Sequence, residues 1–91
     1  MRARAHVLVS GYVQGVFFRE ITKRRADSVN IKGWVRNRDD GKVEAVFEGE
    51  EQDVKVMVEF CRHGPPRAKV ASEEVKWEAY VGEFDGFEIR L

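Results

Sequence analysis

Two short stretches of this chain carry residue types that could do chemistry, the first of them suited to a phosphate or carboxylate. In Gly11-Tyr12-Val13-Gln14-Gly15-Val16-Phe17-Phe18-Arg19, two glycines bracket a turn and an arginine follows. Glycine lets a backbone approach a ligand with no Cβ in the way. Arginine offers an always-charged, planar fork that matches phosphate oxygens two at a time. The second stretch, Gly33-Trp34-Val35-Arg36-Asn37-Arg38-Asp39-Asp40-Gly41-Lys42-Val43-Glu44, sets Asn37 just before an Asp-Gly turn. A carboxamide both donates and accepts hydrogen bonds. In isolation each stretch has a plainer reading. Arg19 is then a solvated surface charge, and Asn37 a residue that tolerates turn geometry. Neither stretch matches the Walker or dinucleotide-binding patterns, for there is no Gly-Lys-Ser/Thr and no third glycine.

The elements around these residues decide whether they can act together. Ala5-His6-Val7-Leu8-Val9 alternates as a strand, within about residues 4–10. It runs into the glycine-bracketed turn. A helical pattern from Phe18 to Val29 runs out of it, with Phe18, Ile21, Thr22, Ala26 and Val29 near one stripe. The first amides of a helix lack internal partners and carry the positive end of its dipole, which suits an anion. Residues 31–36 read as a second strand, Asn37 to Gly41 as a turn, and Val43 to Glu48 as a third strand, an antiparallel hairpin. In the third strand Val43, Ala45 and Phe47 alternate with Glu44, Val46 and Glu48. Residues 50–63 form a second helix with Val54, Met57, Val58 and Cys61 at core spacing. Its start is acidic, and Gly64-Pro65-Pro66 ends it. A long strand over 69–80 and a short one over 87–91 close the chain. Val29-Asn30 gives the first helix a less sharp stop than a glycine would.

The order βαββαβ predicts one α+β domain over residues 1–91, an α/β sandwich of the ferredoxin-like kind with an antiparallel sheet and two helices on one face. Hydrophobic residues make up 43% of the chain, ordinary for a folded domain. Lysines plus arginines number 16 and so do the acids, giving a net charge of zero. That balance argues against non-specific nucleic-acid or membrane binding. The charged fraction of 35% is high, as on ion-pair-rich thermophilic surfaces. One cysteine, Cys61, allows no internal disulfide, and neither a signal peptide nor a membrane span is evident. The expected setting is the cytoplasm.

Taken together, Gly11 to Arg19 resembles the first signature of the acylphosphatases and Gly33 to Glu44 resembles their second, in the right order and close together. Gly64-Pro65-Pro66 before a late strand is similar as well, and the likeness spans essentially the whole chain. It implies a ferredoxin-like fold and hydrolysis of acyl phosphates with no cofactor and no metal. It implies a substrate-binding loop of Gln14, Gly15, Val16, Phe17, Phe18 and Arg19, with Arg19 as the phosphate-binding arginine and Asn37 as the catalytic asparagine. A phosphate oxygen is then the expected acceptor of the water's proton. The expected partner is a small acyl phosphate, with no nucleic acid and no membrane, and the chain a monomer or weak homo-oligomer. Arg19 and Asn37 can cooperate only if the end of the second strand lies beside the first loop.

The remaining candidates read as structural. His6 and His63 sit on different elements. Cys61 lies on a core stripe with no cation beside it, as a small buried hydrophobe does. No Cys/His spacing suits zinc, and Asp39-Asp40 offers too few oxygens for a calcium loop. Trp34 and Trp77 fall on strands, where most aromatics pack on a sheet face. Lys23-Arg24-Arg25 reads as a solvated face. A non-catalytic phosphate- or RNA-binding module of the same element order is the main alternative. The first strand offers no aromatic for base stacking, and the aromatic-glycine signature of such modules is absent. A small-molecule regulatory domain of similar topology is the other.

Overall fold

The computed structural model describes residues 1–91. Its elements are β1 (Arg2–Tyr12), α1 (Phe18–Ser28), β2 (Lys32–Asn37), β3 (Val43–Glu50), α2 (Glu51–His63), β4 (Lys69–Glu78) and β5 (Phe87–Arg90). The strands form one sheet in the order β4-β1-β3-β2-β5. The β4-β1, β1-β3 and β3-β2 pairings are antiparallel, as expected. The fifth strand departs from that pattern: β5 runs parallel to β2 along its far edge, Gly33 opposite Phe87 and Arg36 opposite Arg90. The sheet is therefore mixed.

Alternation along the strands selects the dry face. Ala5, Val7 and Val9 of β1 join Val43, Ala45 and Phe47 of β3 and Val35 of β2 in one buried cluster. Both helices cover this face. α1 contributes Phe18 and Ala26, and α2 contributes Val54, Met57 and Cys61. Thr22, buried in α1, donates its hydroxyl to the Phe18 carbonyl at 2.6 Å, so no polar atom is stranded there. Burial pushes the Cys61 thiol far above its ordinary range, with the charge of Glu73 adding to the effect. A thiol kept protonated in this way is a packing residue.

The opposite face has no helix over it, yet Glu44, Val46 and Glu48 of β3 are buried there. The alternation alone assigns the two glutamates to solvent. They are covered because β3 lies between β1 and β2, whose long cations reach across it. Arg4 of β1 lies 3.2 Å from Glu48, 3.0 Å from Glu78 and 2.8 Å from Glu83. Glu48 also accepts the backbone N–H groups of Val81 at 2.8 Å and Gly82 at 3.1 Å. His6 and Arg36 flank Glu44 at 2.6 and 2.7 Å. Burial disfavours charge on both glutamates. For Glu44 the bonds from His6 and Arg36 outweigh it, and for Glu48 those from Val81, Gly82 and Arg4 do, so both carboxyls lie below their ordinary range. Trp34 lies on this face with the Arg36 and Arg90 guanidinium groups 5.8 and 5.0 Å from its ring. Trp77 is on the helix-covered side but at the β4 edge, and stays 47% exposed.

α1 ends more cleanly than Val29-Asn30 suggests. Asn30 takes the left-handed conformation with φ 58°, the place glycine usually fills. The Ile31 N–H bonds the Ala26 carbonyl at 2.9 Å and the Asn30 N–H bonds that of Asp27 at 3.3 Å. Those two bonds are a Schellman stop, with buried Ile31 and Ala26 as its apolar contact.

Candidate active site

The β1-to-α1 connection is shaped by three features of its sequence. A register shift between Ser10 and Gly11 puts an irregularity in the β1-β4 ladder, which resumes with Gly11 opposite Val70 and Tyr12 opposite Lys69 before the chain leaves the sheet. Val13, Val16 and Phe18 are buried and pin the connection to the core, while Gly15 and Phe17 between them face outward. Gly15 has φ 75° and Phe17 has φ 64°, ψ 24°. Left-handed residues placed in this way among ordinary ones turn successive N–H groups toward one concave side. The N–H groups of Gly15 through Glu20 have no acceptor in the protein. No side chain caps α1 either. A row of unpaired amides, at the positive end of a helix, is an anion site in waiting.

Phe17 is costly at this position. A phenylalanine in the left-handed region loses about 1–2 kcal/mol to the clash of its Cβ with the neighbouring carbonyl. Its ring, 60% exposed, recovers little of that by burial.

Arg19 and Asn37 line one pocket. Its wall consists of Val13, Gly15, Phe17, Phe18, Arg19, Glu20 and Asn37, around a volume of about 150 Å³. The geometric demand made by the sequence is met: the last residue of β2 lies beside the first loop. The strand order explains it. β1 and β2 are both paired to β3, so the C-terminal ends of these two parallel-running strands emerge on the same side, two strands apart.

Gln14 closes that distance. Its Nε2 donates to the Arg38 carbonyl at 2.8 Å and to the Lys42 carbonyl at 3.0 Å. Those carbonyls also close the hairpin turn, since the Arg38 N–H bonds Lys42 and the Gly41 N–H bonds Arg38. The sequence reading places Gln14 in the substrate-binding loop; its side chain is turned to the hairpin, and Gln14 does not line this pocket. The tether had no sequence signal, because a glutamine between glycines says nothing of which carbonyls it will meet.

The arginines of the site divide by charge. Arg36 is 2.7 Å from Glu44, and Arg38 is 3.1 Å from Asp40. The Lys42 N–H holds the Asp40 carboxyl below its ordinary range, helped by Arg38. Arg19 forms no ion pair or side-chain hydrogen bond within the chain, and neither does the Asn37 carboxamide. The pocket thus combines one uncompensated guanidinium, one unengaged carboxamide and a run of free amides. His6 and His63 are elsewhere, each against a glutamate. Three or more metal-ligating side chains do not converge anywhere in the molecule.

Known proteins share this sequence and fold. The acylphosphatase family model matches residues 5–89. An acylphosphatase of Pelotomaculum thermopropionicum is 53% identical over 97% of this chain and 96% of its own length. One from Haloarcula marismortui is 58% identical over 96% of this chain and 94% of its own. The crystal structure of acylphosphatase from Bacillus subtilis superposes with a TM-score of 0.92 at 36% identity, covering all of both chains. On the match to the family model, the near full-length identity to these enzymes and the shared fold, the chain belongs to the acylphosphatase family.

Proposed function

We propose that the chain hydrolyses the carboxyl–phosphate bond with Arg19 and the Gly15-to-Arg19 amides as the phosphate cradle and Asn37 as the holder of the attacking water. The cleavage of acyl phosphates to carboxylate and inorganic phosphate is the activity of the family. What supports these roles is a single observation: Arg19, Asn37 and the unpaired loop amides share one pocket.

The chemistry asks for little else. The bond to be cut is between phosphorus and the acyl oxygen, and the leaving group is a carboxylate. Its conjugate acid has a pKa of about 4 to 5, like an Asp or Glu side chain, so no general acid is required to protonate it. Water adds to phosphorus in line with the departing oxygen. One of its protons passes to a phosphoryl oxygen and the other stays on the attacking oxygen, so the products are the carboxylate and dihydrogen phosphate, which then gives up a proton to solvent at neutral pH. Phosphoryl transfer through a loose transition state is mostly positioning and charge stabilisation. Preorganised amides and a guanidinium supply the second. The Asn37 carboxamide, accepting from water through its oxygen, supplies the first.

The test is phosphate release from acetyl or benzoyl phosphate, beside a phosphomonoester control. Arg19→Ala is expected to abolish both turnover and inhibition by inorganic phosphate with the fold intact. Asn37→Ala is expected to keep phosphate inhibition and lose turnover by roughly 10²-fold or more, the size of a lost positioning contact. Near wild-type turnover in Arg19→Ala would overturn the assignment. Equal loss of binding and turnover in Asn37→Ala would make Asn37 a structural residue.

A further inference from the structure

We infer that the Phe17 ring is the acyl-group platform of this site and biases the enzyme toward acyl phosphates with apolar, above all aromatic, acyl groups. The inference rests on the acyl-phosphate reading and adds a specificity to it.

Three observations carry it. First, Phe17 is a large apolar side chain at the pocket wall that is left open to solvent; the other apolar members, Val13 and Phe18, are buried in the core. Second, the backbone there is left-handed, at φ 64°, a conformation in which glycine or asparagine is at home and phenylalanine is strained. The ring pairs with neither Phe18 nor Phe60, which pair with each other instead. Neither packing nor local conformation accounts for a phenylalanine at this position. Third, with the phosphoryl group held by the amides on either side of Phe17, an acyl group projecting from it within the same pocket lies in reach of the ring. The other hollow beside Asn37 is walled mainly by Arg36, Arg38, Asp39 and Asp40, with Leu91 at its side, and offers an apolar group far less. An acyl carbonyl conjugated to a phenyl ring is flat and apolar, the partner an exposed aromatic face favours.

The experiment compares kcat/KM for benzoyl phosphate and acetyl phosphate in the wild type and in Phe17→Gly, Phe17→Asn and Phe17→Tyr. Gly and Asn suit the left-handed backbone and remove the ring; Tyr keeps it. The two substrates share the phosphoryl group, so any disturbance of the cradle cancels in their ratio. The benzoyl-to-acetyl ratio is expected to fall about 3- to 10-fold in Phe17→Gly and Phe17→Asn, the usual worth of one aromatic contact. In Phe17→Tyr it is expected to stay within twofold of the wild-type ratio, a margin of about RT ln 2. The melting midpoint of Phe17→Gly should not fall, because a strained, exposed residue is being removed. An unchanged ratio in the Gly and Asn variants overturns the inference, and so does a ratio lost equally in Phe17→Tyr. A wild-type enzyme that turned over neither substrate, and was not inhibited by phosphate, would instead overturn the underlying reading.

Discussion

Replacing Gln14 by leucine separates the two halves of the site without touching either. The side chain keeps its bulk but loses its donor. Two hydrogen bonds disappear, to Arg38 at 2.8 Å and to Lys42 at 3.0 Å. At about 0.5–1.5 kcal/mol each, the loss is about 1–3 kcal/mol. The stranded carbonyls keep their hairpin bonds, and the turn is near the surface, so water can replace the missing donor and the lower half of that range is expected. For a domain of this size each kcal/mol moves the thermal midpoint by about 4–8 °C. The catalytic effect is the sharper test. With the tether gone, the hairpin and its Asn37 can shift relative to the loop. A displacement of about 1 Å between nucleophile and phosphorus is enough to cost roughly 10²-fold. So kcat should fall about 10- to 100-fold while the inhibition constant for inorganic phosphate changes less than about threefold, since Arg19 and the loop amides are independent of the hairpin. Gln14→Glu adds a pH signature. A carboxylate cannot donate to a carbonyl, but its protonated form can. Its kcat relative to wild type should therefore rise as pH falls toward the ordinary Glu value of about 4.3. A Gln14→Leu enzyme with lowered midpoint and wild-type kcat would refute the reasoning, because the tether would then hold the fold and not the water.

Two further outcomes concern the frame. Glu48→Gln should destabilise the protein by about 1–3 kcal/mol at neutral pH, the worth of weakened hydrogen bonds to a buried charge whose partner Arg4 keeps Glu78 and Glu83, measured by guanidinium unfolding. The Glu48 carboxyl is lowered in the fold, so its contribution is full above its ordinary value of 4.5 and is lost as pH falls through the lowered one. The gap between wild type and variant should close on that acid limb; a gap independent of pH would show that the carboxylate charge is not what matters. Asn30→Ala should cost about 1 kcal/mol by forcing a Cβ without a local polar partner into the left-handed region, whereas Asn30→Gly should cost nothing. Equal stability of the two variants would remove the Schellman account of the α1 stop.

How far the sequence could be read depends on the range of the forces involved. The strand–turn–helix around Arg19 and the hairpin after Asn37 rest on local signals: glycines, a change of hydrophobic period, an Asp-Gly turn. The α2 stripe of Val54, Met57, Val58 and Cys61 is equally local; three of the four side chains are buried and Val58 packs partly buried against the core. Other features depend on residues far apart in the chain. Glu44 and Glu48 look like solvent-facing partners of Val43 and Phe47 until His6, Arg36 and Arg4 are brought beside them by strand pairing. The parallel seat of β5 against β2 is fixed by contacts such as Gly33 N–H to the Gly86 carbonyl, 53 residues apart at 3.0 Å, and leaves no mark on periodicity. The side-chain role of Gln14 was hidden for the same reason. Arg19 and Asn37, which line one pocket, stand out in the sequence because two motifs point to them together, where either alone has an ordinary structural explanation.

The uncovered side of the sheet gives the molecule two kinds of cohesion. Behind the helices it is oily; in front, Arg4 gathers Glu48, Glu78 and Glu83 into an ionic lattice. These respond oppositely to warming. The hydrophobic contribution levels off, while the cost of stripping hydration from charges declines. Heat therefore shifts the burden of holding the strands together toward the salt-linked front, the face that has no helix.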